Sequence, residues 1–183
     1  MKQIHLILFA CLCLQSSVLS KKSTIQDKQN PKLSWTGKAA FNAYSLTGAI
    51  DIKNVTSRVT INKLEDLYIE IDMTSLDHEN SDLKTHLRSK DFFEVKRYKS
   101  ASFQLSKPAK IVNGEALITG TLNIKDISKE EQFKVKIVDN QLILDIVINR
   151  TDYGITFNSP TFFEKMKDQA IADEFRLEGE IQL

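Results

Sequence analysis

The chain has 183 residues, 42% of them hydrophobic and 27% charged, with 25 Lys and Arg against 24 Asp and Glu for a net charge of +1. This length suits one domain that buries roughly two thirds of its unfolded surface, and six glycines, three prolines and two cysteines exclude a collagen, a low-complexity chain and a disulfide-stapled miniprotein. A near-neutral chain gains little from a phosphate backbone, so nucleic acid is not an expected partner.

Lys2 precedes an apolar run from Ile4 to Leu14 interrupted only by His5, and Val18-Leu19-Ser20 supplies compact residues for cleavage. Residues 1–20 therefore read as a secretory signal peptide, because the run falls short of the roughly 20 apolar residues that span a bilayer. A second arrangement, Leu8-Phe9-Ala10-Cys11 as a lipobox acylated on Cys11, implies an unusually short leader and ranks behind the first. Cleavage after Ser20 leaves 163 residues with 24 basic and 24 acidic side chains and no cysteine. The expected product is exported, periplasmic or secreted, and stabilised by its core rather than by disulfides. Residues 21–31 are polar and aperiodic and read as a flexible tether to a domain over residues 32–183.

From Leu33 the dominant period is two. Leu33, Trp35, Gly37, Ala39, Phe41 and Ala43 share one parity, as in a half-buried strand. Ile50 and Ile52, then Val59 and Ile61, predict two short strands joined near Asn54. Leu67, Ile69, Ile71 and Met73 form the next one-sided run, and Ala101, Phe103 and Leu105 another, closed by Pro108. Ala116 to Ile124 alternates again; a polar turn over Lys125 to Glu131 leads into Phe133, Val135 and Ile137. Leu142 to Ile148 and Phe175 to Leu183 complete eight or nine strands, which makes the fold all-β, an antiparallel barrel or sandwich. Two segments break the rule. Asn80 to Arg88 predicts a helix with Leu83 and Leu87 on one side and Asn80 or Ser81 as its cap, and Thr161 to Lys167 predicts a second, opened by Ser159-Pro160.

Catalytic signatures are absent: there is no phosphate loop, no His-Glu-x-x-His, no nucleophile elbow and no paired-cysteine metal motif. His78, Asp82 and His86 fall at i, i+4 and i+8, a spacing suited to a metal or proton relay but commoner among solvated helix side chains. No enzyme, no metal and no cofactor is expected. Arg88, Lys90, Lys96, Arg97, Lys99, Lys107 and Lys110 concentrate positive charge around Phe92 and Phe93. That patch fits an anionic head group or an acidic membrane surface, or a strand edge guarded by lysines, the reading favoured on base rates.

Leu83-Lys84-Thr85-His86-Leu87-Arg88-Ser89-Lys90-Asp91-Phe92-Phe93-Glu94-Val95, followed by Tyr98-Lys99-Ser100-Ala101-Ser102-Phe103, resembles a signature of the YceI-like lipid- and polyisoprenoid-binding proteins. Ile118-Thr119-Gly120-Thr121-Leu122-Asn123-Ile124, Asn149-Arg150-Thr151-Asp152-Tyr153-Gly154-Ile155 and Asp173-Glu174-Phe175-Arg176-Leu177 follow in the family's order. The chain departs from that pattern at Lys99, at Phe41-Asn42-Ala43-Tyr44 and at Asp126-Ile127. The resemblance implies a lipocalin-like antiparallel β-barrel of about eight strands with one or two short helices, holding an isoprenoid or other amphiphilic lipid inside.

Hydrocarbon burial is worth about 0.8 kcal/mol per methylene, so such a ligand needs no named polar partner. Candidate lipid-binding residues, chosen for size, inward parity or position on the helical lids, are Trp35, Phe41, Ile50, Met73, Phe92, Phe93, Phe103, Leu122, Tyr153, Phe157, Phe162 and Phe163. Arg150 is expected to pair a buried carboxylate in preference to greeting a head group. The expected partners are the lipid and, transiently, a membrane surface. The alternative function is an interaction, adhesion or stress-related module whose barrel is packed solid. The two differ in whether a cavity exists.

Overall fold

Alternating apolar residues become strands whose even and odd side chains face opposite sides of one curved sheet. The computed structural model describes residues 23–24, 31–39, 44–162 and 170–183. Its strands are β1 (Ser23–Thr24), β2 (Lys32–Ala39), β3 (Ser45–Thr60), β4 (Lys63–Asp77), β5 (Ser100–Leu105), β6 (Ala109–Val112), β7 (Glu115–Ile124), β8 (Ile127–Val138), β9 (Gln141–Asn149) and β10 (Ile171–Gln182). Helix α1 spans Ser81–Leu87 between β4 and β5. Hydrogen bonding runs in the order β3-β2-β10-β9-β8-β7-β5-β4, and β4 pairs back onto β3. Eight antiparallel strands therefore close into a barrel, the architecture the alternation predicted. Two short strands lie outside it: β1 pairs Ser23 and Thr24 with Ser57 and Thr56, and β6 bridges the starts of β4 and β7.

The inward parity is clearest in β9, where Leu142, Leu144, Ile146 and Ile148 are buried. One end of the barrel is packed shut. Leu64, Leu67 and Leu142 are wholly buried there, beside Ile181 and Leu183. At the other end α1 and the segment 88–99 cross the opening. Asn80 caps the helix, its Oδ1 accepting from the amides of Asp82 and Leu83 at 2.9 and 3.0 Å.

Several expectations are corrected. The two short strands expected around Asn54 are one, β3, because the chain absorbs the break as register shifts between Ala49 and Asn54, with Ser75 Oγ accepting from the Asp51 amide at 2.7 Å. Ile61 stands in the β3–β4 turn, exposed. The polar turn expected over Lys125 to Glu131 contracts to Lys125-Asp126, both at positive φ (52° and 60°), so β8 begins at Ile127. Asn113-Gly114 and Asp139-Asn140 turn in the same left-handed way. Such two-residue hairpins match the twist of their strands, and Asn and Asp tolerate the conformation, which is how six glycines suffice. β6 leaves no signal in the sequence, because a four-residue strand after Pro108 carries no long alternation. The expected leader, residues 25–30 of the tether, Phe41, Ala43 and residues 163–167 of the second helix lie outside the described residues; Thr161 and Phe162 form a turn.

One seam in the barrel is special. The β8–β9 ladder is limited to Lys136–Val138 against Ile143–Gln141. Beyond it, a 3-10 turn over Arg150–Tyr153 bridges from β10 to β8, burying Tyr153 and Ile155 completely.

Candidate functional site

Above the packed floor the barrel contains a cavity of about 160 Å³. Seven of the expected residues line it: Trp35, Ile50, Met73, Phe92, Phe93, Phe103 and Leu122. Ile118, Phe133, Leu144, Ile146 and Ile148 also line it. The three β9 residues share the parity that marks the other inward strands, so that signal is present in the sequence. Gly37, Phe93, Ile171, Ala172, Glu174 and Phe175 line it too and are partly or fully exposed, where β2 ends and β10 begins. The cavity thus reaches the surface at the α1 end. The β2–β10 ladder is irregular there: Ile171 pairs with Ala39 but Phe175 with Gly37, so three residues of β10 oppose one of β2.

The lid is an aromatic stack. Phe92 is buried, with its ring 5.1 Å from His86 and 5.4 Å from Phe157, and His86 lies 4.7 Å from Phe157. Lys125 Nζ donates to the Phe92 carbonyl at 2.8 Å and pins the segment to the β7–β8 turn. Phe93 is partly exposed and meets Phe175 at the mouth.

Tyr153, Phe157 and Phe162 stand apart from the cavity wall. Tyr153 fills the β8–β9 seam, its hydroxyl donating to Glu131 Oε1 at 2.8 Å; burial first, then this hydrogen bond, pushes the phenol's pKa well above its usual value. Phe157 supports Phe92 from behind, and Phe162 is exposed. Phe41 and Phe163 lie outside the described residues.

Arg150 is a structural cation whose side chain also borders the cavity. Its guanidinium donates to the carbonyls of Ala172, Ile155 and Ile171 at 3.0, 2.7 and 2.8 Å and lies 3.6 Å from Asp173 Oδ1. Burial lowers its pKa, and the Asp173 carboxylate opposes that shift. With every nitrogen turned toward the protein, it ties the start of β10 to the turn after β9.

His78, Asp82 and His86 do not share a helical face. The helix begins only at Ser81, and His78 packs beside Trp35, ring centroids 5.7 Å apart, with Nδ1 accepting from the Asn80 amide. No cluster of metal-ligating side chains occurs among the described residues. The basic patch also divides: Arg88 to Lys99 sit on the lid segment, whereas Lys107 and Lys110 lie at the packed end, beyond β5 and on β6.

Over 93 residues the chain is 31% identical to UPF0312 proteins of Vibrio parahaemolyticus and Vibrio campbellii; the match is 50% of this chain and 45% of each relative, so it spans about half the length of the curated relatives it matches. Among solved structures, the YceI protein of Campylobacter jejuni aligns over 100% of this chain and 98% of its own, with a TM-score of 0.57 at 21% identity. BcnA of Burkholderia cenocepacia aligns over 81% and 94%, with a TM-score of 0.58 at 18% identity. A polyisoprenoid binding domain from Saccharophagus degradans aligns over 81% and 90%, with a TM-score of 0.53 at 10% identity. At these identities the likeness is one of fold. The ordered motifs from Leu83 to Leu177 and the barrel they build carry the conclusion that this chain belongs to the YceI-like domain family, whose model matches residues 26–183.

Proposed function

We propose that the protein is an exported binding protein that sequesters or carries an isoprenoid-like or other amphiphilic lipid, tail inward, without a chemical step. The observation that carries this reading is the cavity itself: an apolar space with a closed floor and its charged neighbours, Arg150 and Glu174, at one end. A hydrocarbon tail entering it exchanges water for aliphatic and aromatic walls at about 0.8 kcal/mol per methylene. The polyisoprenoid binding domain among the solved relatives supports the same class of ligand. The apolar run in residues 4–14 supports export.

The volume refines the ligand. About 160 Å³ is on the scale of the ~150 Å³ apolar void that accommodates a benzene-sized guest. The cavity therefore seats the end of a tail, and the remainder of a long chain leaves through the mouth beside Phe93.

Organic extraction of freshly purified protein, followed by mass spectrometry, is expected to release a lipid with a long apolar tail. The emptied protein is expected to enhance the fluorescence of a hydrophobic dye. A barrel that yields no lipid and stays silent to dye overturns the proposal in favour of the packed interaction module.

A further inference from the structure

We propose that the α1 end of the barrel docks on an anionic lipid bilayer, so that the cavity mouth faces the membrane surface. The segment from Arg88 to Lys99 carries Arg88, Lys90, Lys96, Arg97 and Lys99 against only Asp91 and Glu94, on a chain whose whole net charge is +1. Among the described residues none of these five cations is ion-paired, whereas Lys53, Lys84, Lys129, Lys134 and Arg176 each hold a carboxylate within 2.8 Å. The same segment carries Phe92 and Phe93, so the unpaired charge rides on the lid of the cavity. Arg97 lies over the Tyr98 ring at 5.1 Å from its centroid, and Lys125 approaches the same ring at 5.9 Å.

Among the described residues, two large aromatic side chains are exposed at this end, together with Ile127 at the start of β8. Tyr44, at the start of β3, and Phe162, ahead of β10, are 60% and 56% exposed. Aromatic side chains at the same end of a barrel as unpaired cations suit the headgroup layer, where rings enter the interface and Lys and Arg meet anionic lipid. The opposite end also exposes apolar side chains, Ile61 and Val112, beside Lys63 and Lys110, but Leu64, Leu142 and Leu183 close it. A tail too long for the cavity emerges only at the α1 end, and an apolar tail is spared water if the mouth is already against the bilayer.

The test uses the full chain with unilamellar vesicles of phosphatidylcholine, alone or with about a third phosphatidylglycerol, so that any contribution of the apolar N-terminal run is common to both. The excess binding to anionic vesicles is expected to vanish at high salt and to fall roughly 100-fold in the triple variant Lys96→Glu, Arg97→Glu, Lys99→Glu. With brominated acyl chains, the additional tryptophan fluorescence introduced by Phe162→Trp is expected to be quenched, and that introduced by Ile61→Trp is not. Equal binding to the two vesicle types, quenching at position 61 alone, or a triple variant that binds like the parent overturns docking by this end. Lipid co-purifying with the protein is measured separately. The triple variant changes no cavity residue and is expected to retain its lipid, which separates failure of docking from failure of the carrier reading.

Discussion

The ring of Phe93 meets that of Phe175 edge-on, centroids 6.2 Å apart and planes at 87°, where the cavity reaches the surface. One ring belongs to the lid segment and the other to β10, so this contact joins two parts of the rim that no strand pairing connects. An edge-to-face pair contributes about 0.5–1.5 kcal/mol. Phe93→Ala is therefore expected to speed loss of bound lipid about threefold to tenfold while lowering the melting temperature only slightly, because the partly exposed Phe93 supports little core. Dye-displacement rates beside thermal unfolding measure both quantities. A melting temperature that collapses, with lipid retention unchanged per folded molecule, makes Phe93 a core residue instead of a gate.

Ala101 on β5 faces the same space from the wall. Ala101→Leu adds three carbons where there is room for them. The variant is expected to bind less lipid and dye, with a melting temperature equal to or above that of the lipid-free parent. In a packed barrel the same change overfills the core and costs about 1–3 kcal/mol. Marked destabilisation of the emptied protein therefore counts against a usable cavity.

Gly120 shows the opposite condition. A Cβ placed there would lie 2.4 Å from both the Gln104 carbonyl oxygen and the Phe103 ring. Gly120 pairs with Leu105 on β5, so neither backbone can withdraw without breaking the ladder. Gly120→Ala is expected to cost more than about 2 kcal/mol, read from denaturant midpoints, and to reduce lipid binding by displacing Phe103. A neutral outcome would mean that the β5–β7 spacing is softer than this contact implies.

Arg150 concentrates several hydrogen bonds in one buried side chain. Arg150→Met keeps much of the length of the stem but strips the donors from the Ala172, Ile155 and Ile171 carbonyls and leaves Asp173 without its cation. A loss of about 3 kcal/mol is expected in equilibrium unfolding. Arg150→Lys is expected to recover only part of it, since one ammonium cannot span the fork. Full recovery by lysine would reduce the role of Arg150 to charge alone.

The strands and α1 were legible because parity and capping are local: Leu142, Leu144, Ile146 and Ile148 declare an inward face, and Asn80 sits ahead of a helical run. The site was legible only in part. Inward parity cannot say whether a residue touches floor, void or seam, and Ile118 and Leu142 carry the same pattern although one lines the cavity and the other plugs the packed end. The size of Tyr153 suggests a place in the wall, but its place is set by a seam between β8 and β9 that depends on where a ladder stops, a relation between distant residues. Closeness in sequence makes Lys99 and Lys107 look like one patch, yet β5 carries the chain from one end of the barrel to the other between them.

That seam gives a pH dependence of definite sign. Tyr153 is wholly buried, and burial together with its 2.8 Å hydrogen bond to Glu131 favours the neutral phenol in the folded protein. The unfolded chain gives up that proton near pH 10, its ordinary value, while the folded protein keeps it. The stabilisation is therefore complete below about pH 10 and declines as the pH rises above it. Tyr153→Phe removes the linkage. At neutral pH the variant is expected to be about 1 kcal/mol less stable through loss of the hydrogen bond, and its melting temperature should fall less steeply than the parent's between pH 9.5 and 11.5. The gap between the two proteins narrows with alkalinity. Parallel melting curves across that range would show that Tyr153 ionises as readily in the folded barrel as in the unfolded chain, and that its hydroxyl does not hold the seam closed.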